Sequence, residues 1–136
     1  MDRDPHRIRS FDVDDLREMT VAVAGPSALL VAKVFKIAER VGHPSRESAK
    51  DALDVIRLLQ AVPTEELAER VRRLRSDEQS RDVTNRALVE LARLFGGRRG
   101  RGSTLAAQAA APFEREETIM ASAVALTGDL LAATKT

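Results

Sequence analysis

The chain has 136 residues, enough for one domain with a single modest core, and its 22 basic and 21 acidic residues leave a formal net charge of +1. Cysteine is absent and only His6 and His43 offer imidazole, which excludes thiolate chemistry, disulfides and Cys/His zinc sites and fits a reducing, cytoplasmic setting. The near-balance of charge removes the global electrostatic argument for a dedicated nucleic-acid binder, and four Phe without Trp or Tyr supply base-stacking platforms poorly.

Residues 1–19 form a polar, charged lead-in without sustained period and without the apolar run of a signal peptide. Residues 20–136 read as a single helical domain. The β-branched run at residues 20–24, TVAVA, is closed by Gly25 and Pro26 and reads as a short strand or extended segment. A lone strand needs a partner, and no second strand pattern follows, so a sheet supplied from outside this chain is expected. The most apolar stretch, residues 21–38, is interrupted by Pro26, Lys33 and Lys36, which argues against a membrane span.

Five or six helices are expected after that, giving an all-α bundle. The first covers residues 26–41, with Pro26 in its first turn and Gly42, His43 and Pro44 as its stop. At about 100° per residue, Leu30, Val31, Val34, Phe35, Ile37, Ala38 and Val41 fill a wide apolar arc, and Lys33, Lys36 and Arg40 form a cationic stripe on the other side. The second helix is expected from a Ser45 cap to Val62, where Pro63 stops it. Within it Lys50, Asp54 and Arg57 share the polar face, while Asp51 falls at the edge of the apolar face and calls for a cationic partner.

A short third helix follows Thr64 as cap, with Glu65 and Glu66 in its first turn. Ser76, Asp77, Glu78 and Gln79 read as a capping box opening a fourth helix that buries Val83, Ala87, Leu88, Leu91, Leu94 and Phe95. Residues 96–102, GGRRGRG, read as a flexible basic loop, after which Ser103 caps an Ala-rich helix to Ala111. The last helix covers residues 113–133, with Ile119, Met120, Ala123, Leu126, Leu130 and Leu131 inward.

Asp2 with Asp4 and Asp12 with Asp14 have the Asp-x-Asp spacing that holds a divalent metal when it lies on a strand, but both pairs sit in the lead-in and read as solvated surface. His6 and His43 read as exposed loop histidines, and no Ser or Thr lies in a nucleophile motif, so no catalytic residue and no metal ligand is assigned. Arg98, Arg99 and Arg101, ahead of Gly102 and Ser103, form a candidate phosphate or nucleic-acid loop at a helix start, without a P-loop or dinucleotide fingerprint. The densest cluster is Lys33, Lys36, Arg40, Lys50, Asp51, Asp54 and Arg57 on two consecutive helices whose short connection makes them pack antiparallel. It reads either as a structural salt-bridge network or as a cationic site positioned by Asp51 and Asp54.

The residues VAGPSALLVAK ending at Lys33, then Lys36 and Arg40, then KDALDVIRLL beginning at Lys50, resemble the segment after the catalytic core in nucleotidyltransferase-fold proteins related to abortive-infection toxins. In that family a strand leads into a helix carrying a Lys and then an Arg, followed by a Lys/Arg-Asp-x-x-Asp helix. The resemblance spans about a quarter of the chain and implies nucleotide or phosphate binding by Lys33, Lys36, Arg40 and Lys50, with Asp51 and Asp54 shaping the site. The family's Gly-Ser dipeptide, Asp-x-Asp strand and third carboxylate do not precede residue 20. What the resemblance implies is therefore a helical, catalytically incomplete domain in a toxin–antitoxin-like setting. Its catalytic half would lie upstream or on a separate chain, and Mg²⁺ would enter only with that half. On the residues alone a second reading stands beside it, a helical oligomerisation or protein-interaction module whose homodimer forms through the Ala/Leu-rich last helix. A third is an antitoxin-like regulator that binds DNA through residues 96–102.

Purified chain supplied with any nucleoside triphosphate and Mg²⁺ or Mn²⁺ should show no nucleotidyl transfer, because two-metal phosphoryl transfer needs the carboxylates this sequence lacks. Reproducible, metal-dependent transfer of labelled nucleotide would contradict that expectation.

Overall fold

The structure, a computed structural model, describes residues 25–43 and 48–135. Among these residues the architecture is all-α, with α1 (Gly25–Arg40), α2 (Ala49–Ala61), α3 (Thr64–Ser76), α4 (Arg81–Phe95), α5 (Arg101–Ala110) and α6 (Glu116–Thr134), and no strand. The lead-in, the strand expected at residues 20–24 and the Ser45 cap lie outside the described residues. No helix among the described residues is long and apolar enough to cross a membrane.

Helix ends follow local chemistry. Gly42, at φ +87°, takes the left-handed conformation that terminates α1 and that a side chain resists. The described cap of α2 is Ser48, whose Oγ accepts from the Asp51 amide at 3.2 Å. The capping box expected at residues 76–79 is not formed. Ser76 instead ends α3, Asp77 accepts from the Gln79 amide in a tight turn, and α4 starts at Arg81. The Ser80 hydroxyl donates back to the Leu74 carbonyl at 2.6 Å and Arg81 Nε to the Arg75 carbonyl at 3.0 Å, so this corner satisfies the orphan acceptors that end α3.

With α4 starting four residues later than a cap at Ser76 would place it, its inward line becomes Thr84, Ala87, Leu91, Leu94 and Phe95, and Val83 turns outward. The basic loop is also more ordered than its composition suggests. The Ser103 hydroxyl donates to the Gly97 carbonyl at 2.9 Å and the Gly100 amide to the same carbonyl at 3.0 Å, which folds residues 97–103 into a closed turn. Ser103 is thus buried inside α5 rather than capping it.

The core is one aliphatic cluster with Phe95 as its largest member. Its most extensive helix contact is α2 against α5, where Ala106, Ala107 and Ala110 on α5 and Ala52 on α2 are all buried. Such small side chains let helix axes approach closely. α6 lies across α3, α5, α4 and α2. Its C-terminal carbonyls are held by α3, since Arg72 Nη1 donates to Ala133 O at 2.8 Å and Arg75 Nη2 to Thr134 O. Two guanidinium groups at a helix C-terminus also oppose its negative dipole end. Arg57 of α2 pairs with Glu114 in the turn before α6.

Gly102 sits in the first turn of α5, and a Cβ there would lie 2.7 to 2.8 Å from the Phe95 ring, which is fully buried and has nowhere to move. Alanine would otherwise favour a helix by about 1 kcal/mol over glycine, but overpacking at a filled core costs about 1 to 3 kcal/mol, so the clash decides the sign. Gly102→Ala should lower the urea midpoint, whereas Gly97→Ala, with nothing within 4 Å of the added methyl, should leave it unchanged or raise it. Equal midpoints for the two variants would contradict this packing.

Candidate functional site

α1 and α2 bring together the charged residues that the sequence singles out. Lys33 Nζ lies 2.9 Å from Asp54 Oδ2 and 3.3 Å from Asp51 Oδ1, and Lys36 Nζ lies 3.1 Å from Asp51 Oδ2. The position nearer the C-terminus of α1 reaches only the position nearer the N-terminus of α2, as antiparallel helices require. Two lysines and two aspartates thus form one cluster of zero net charge.

Burial is uneven across it. Lys33 is 6 % and Asp51 4 % exposed, while the Asp54 side chain is 34 % exposed. The cationic stripe of α1 is therefore no solvated face at Lys33, because α2 covers it. A lysine so placed keeps its charge only beside carboxylates. The edge position of Asp51 on the apolar face of α2 is the reason it reaches inward to meet both lysines.

Asp51 is also the third residue of α2 after its Ser48 cap, where the positive end of the helix dipole favours a carboxylate. Burial pushes its carboxyl up, but hydrogen bonding by Lys36 and Ser48 and the charges of Lys36 and Lys33 outweigh this and hold it below its ordinary value of 3.8.

The remaining predicted residues are distributed differently. Arg40 ends α1, one turn past Lys36, and is half-buried, and Lys50 is exposed on the first turn of α2. Arg98, Arg99 and Arg101 are exposed at the turn leading into α5, which belongs to a different pair of helices from the lysine cluster. His43 is exposed after α1, as expected of a loop histidine. No group of three His, Cys, Asp or Glu side chains that could hold a metal occurs among the described residues. The sequence reading did not single out Arg72 and Arg75. The signal for them is the run of four arginines in a helix that must also bury Leu67, Val71 and Leu74, which places arginines beside the buried face, within reach of a neighbouring helix end.

Asp51→Ala should destabilise the fold by about 3 kcal/mol or more, since it takes a buried carboxylate from both Lys33 and Lys36. Asp54→Ala, removing a half-exposed acceptor, should cost under roughly 1 kcal/mol. Because the folded-state pKa of Asp51 is depressed, its contribution is fully present above 3.8 and is lost as pH falls through the lower folded value. Urea midpoints measured across the acid range should therefore fall less steeply for Asp51→Asn than for the wild type. Parallel profiles, or equal midpoints for Asp51→Ala and Asp54→Ala, would contradict the geometry.

No protein-family model matches the chain, and comparison with curated proteins and with solved structures likewise finds no significant match.

Proposed function

We propose that the chain is a helical, catalytically incomplete nucleotidyltransferase-like domain in which Lys36, Arg40 and Lys50, around the charge cluster at the α1/α2 crossing, face an anionic ligand. One observation carries this reading. Residues that bear the resemblance, 18 and 21 positions apart in sequence, meet through Lys33, Asp51 and Asp54 in a largely desolvated cluster. Helix pairs of this kind are stabilised as well or better by apolar contacts of similar volume. Four ionisable groups concentrated there therefore favour a role in positioning charge over one in stability alone.

In this reading Asp51 and Asp54 hold Lys33 and Lys36 in fixed orientation, and Lys50 and Arg40 on the rim extend the positive field. The ligand is a nucleotide or a nucleic-acid phosphate, and the metal-binding carboxylates come from another polypeptide segment. A protein-interaction module without ligand chemistry is the second reading. It is favoured by the zero net charge of the four-residue cluster, which offers a polyanion little attraction at long range. The last helix is the weaker candidate for its interface, because α6 already commits Ile119, Ala123 and Leu130 to the core.

Titration of nucleoside triphosphates and short oligonucleotides against wild type, Lys36→Ala/Lys50→Ala and Lys33→Ala, beside urea melts, separates the two. The leading reading expects binding that weakens as salt rises and that Lys36→Ala/Lys50→Ala removes. Absence of binding by the wild type, together with a lowered urea midpoint for Lys33→Ala, would overturn it in favour of the second.

A further inference from the structure

The face of α4 away from the core carries a pattern that neither reading of the lysine cluster uses. Val83 and Val89 are 46 % and 65 % exposed there, beside an open groove between α1 and α4 that Phe35 lines and that Arg86, Glu90 and Arg93 border. The Arg86 guanidinium stacks over the Phe35 ring, 5.6 Å from its centroid, so the groove wall is pre-arranged as a flat cation resting on an aromatic. Glu90 pairs with Arg93 along the same edge.

At about 100° per residue, Asp82, Arg86, Val89, Glu90 and Arg93 fall within a single arc of roughly 100°. Along that stripe the charges of Asp82, Arg86, Glu90 and Arg93 alternate in sign, starting negative and ending positive. A sequence of this kind is complementary to its own reverse. A second α4 laid antiparallel, with Asp82 facing Arg93 and Arg86 facing Glu90, meets an opposite charge at each position. A parallel copy in the same register meets a like charge at each.

The antiparallel arrangement is the one a two-fold axis generates, in which residue i touches j and j touches i. In that register Val89 of one copy lies level with the Arg86 stem of the other, over the Phe35 that supports it. The apolar surface of the groove then supplies attraction while the four charges fix register and direction.

We propose that this face binds a second copy of the chain, as an isologous homodimer whose two-fold axis passes α4 level with residue 88. Opposing charges of two copies pair as Arg86 with Glu90 and Asp82 with Arg93, and the Val89 side chains lie on either side of the axis. This surface is separate from α6 and independent of any ligand at the lysine cluster.

The test is a charge exchange read by sedimentation equilibrium of the full chain. At about 100 µM, a concentration that populates even micromolar dimers, the wild type should approach twice the 14.9 kDa chain mass. Arg86→Glu and Glu90→Arg, each placing like charges opposite one another, should weaken self-association about tenfold or more. An equimolar mixture of the two should recover the dimer as a heterodimer, because positions 86 and 90 of one copy, both acidic, then face positions 90 and 86 of the other, both basic. The double variant Arg86→Glu/Glu90→Arg should recover the dimer alone. Val89→Glu should also be monomeric, with a helical circular-dichroism signal equal to the wild type as the folding control. A wild type of single-chain mass at that concentration, unchanged self-association in folded Glu90→Arg or Val89→Glu, or a mixture that stays monomeric would each overturn the proposal.

Discussion

Lys33 cannot be buried on α1 unless something answers its charge, and that requirement fixes the rotation and register of α1 on α2. Its ammonium sits within hydrogen-bonding distance of both Asp51 and Asp54, so sliding α2 by one residue would break one or both contacts. With that rotation set, Leu30, Val34 and Ile37 meet the core and Phe35 is turned toward α4, where Arg86 covers it. One ionic contact thereby governs both the apolar seam of α1 and the shape of the groove on its far side. The start of α2 supports it, since Ser48 caps the helix and the dipole favours a carboxylate at Asp51.

Elsewhere the fold relies on different chemistry. α2 and α5 approach closely through small residues, and the Phe95 ring fills the space that the absence of a side chain at Gly102 leaves. α6 is positioned less by periodicity than by its neighbours, because Arg72 and Arg75 hold its final carbonyls from α3. These are polar contacts at helix ends, where unmet backbone acceptors make a guanidinium fork most effective. The C-terminal ends of α3 and α6 are therefore tied by side chains from beyond each helix, and the middles of the helices by aliphatic packing.

Much of this was legible in the sequence, for physical reasons that can be named. Proline and glycine at positions 26, 42, 63 and 96 are backbone constraints that act locally, so the existence and order of the helices follow from them. The misfit of Asp51 was legible because a carboxylate at an apolar edge must find a cation. The burial of Lys33 was not, since periodicity within α1 places it only at the margin of the aliphatic arc, beside Leu30 and Ile37, and it is the approach of α2 that makes that margin an interior. The shift from Val83 to Thr84 had the same origin. Ser76 has the residue pattern of a cap, but the Ser80 and Arg81 contacts to α3 carbonyls move the start of α4 four residues on. Composition alone suggests flexibility for residues 96–102, and a serine at position 103 has the pattern of a cap, whereas its hydroxyl closes that turn.

The Lys33–Asp51 contact couples α1 and α2 energetically and is more than two charges that happen to lie close together. A double-mutant cycle measures it directly, with urea unfolding of wild type, Lys33→Met, Asp51→Asn and the pair. A coupling of about 1 to 3 kcal/mol is predicted, with the double variant more stable than the sum of the single losses implies, because removing both partners strands neither Lys33 nor Asp51 and leaves only Lys36 and Asp54, the less buried members of the cluster. Additive losses within about 0.3 kcal/mol, the level seen for independent sites, would contradict the account.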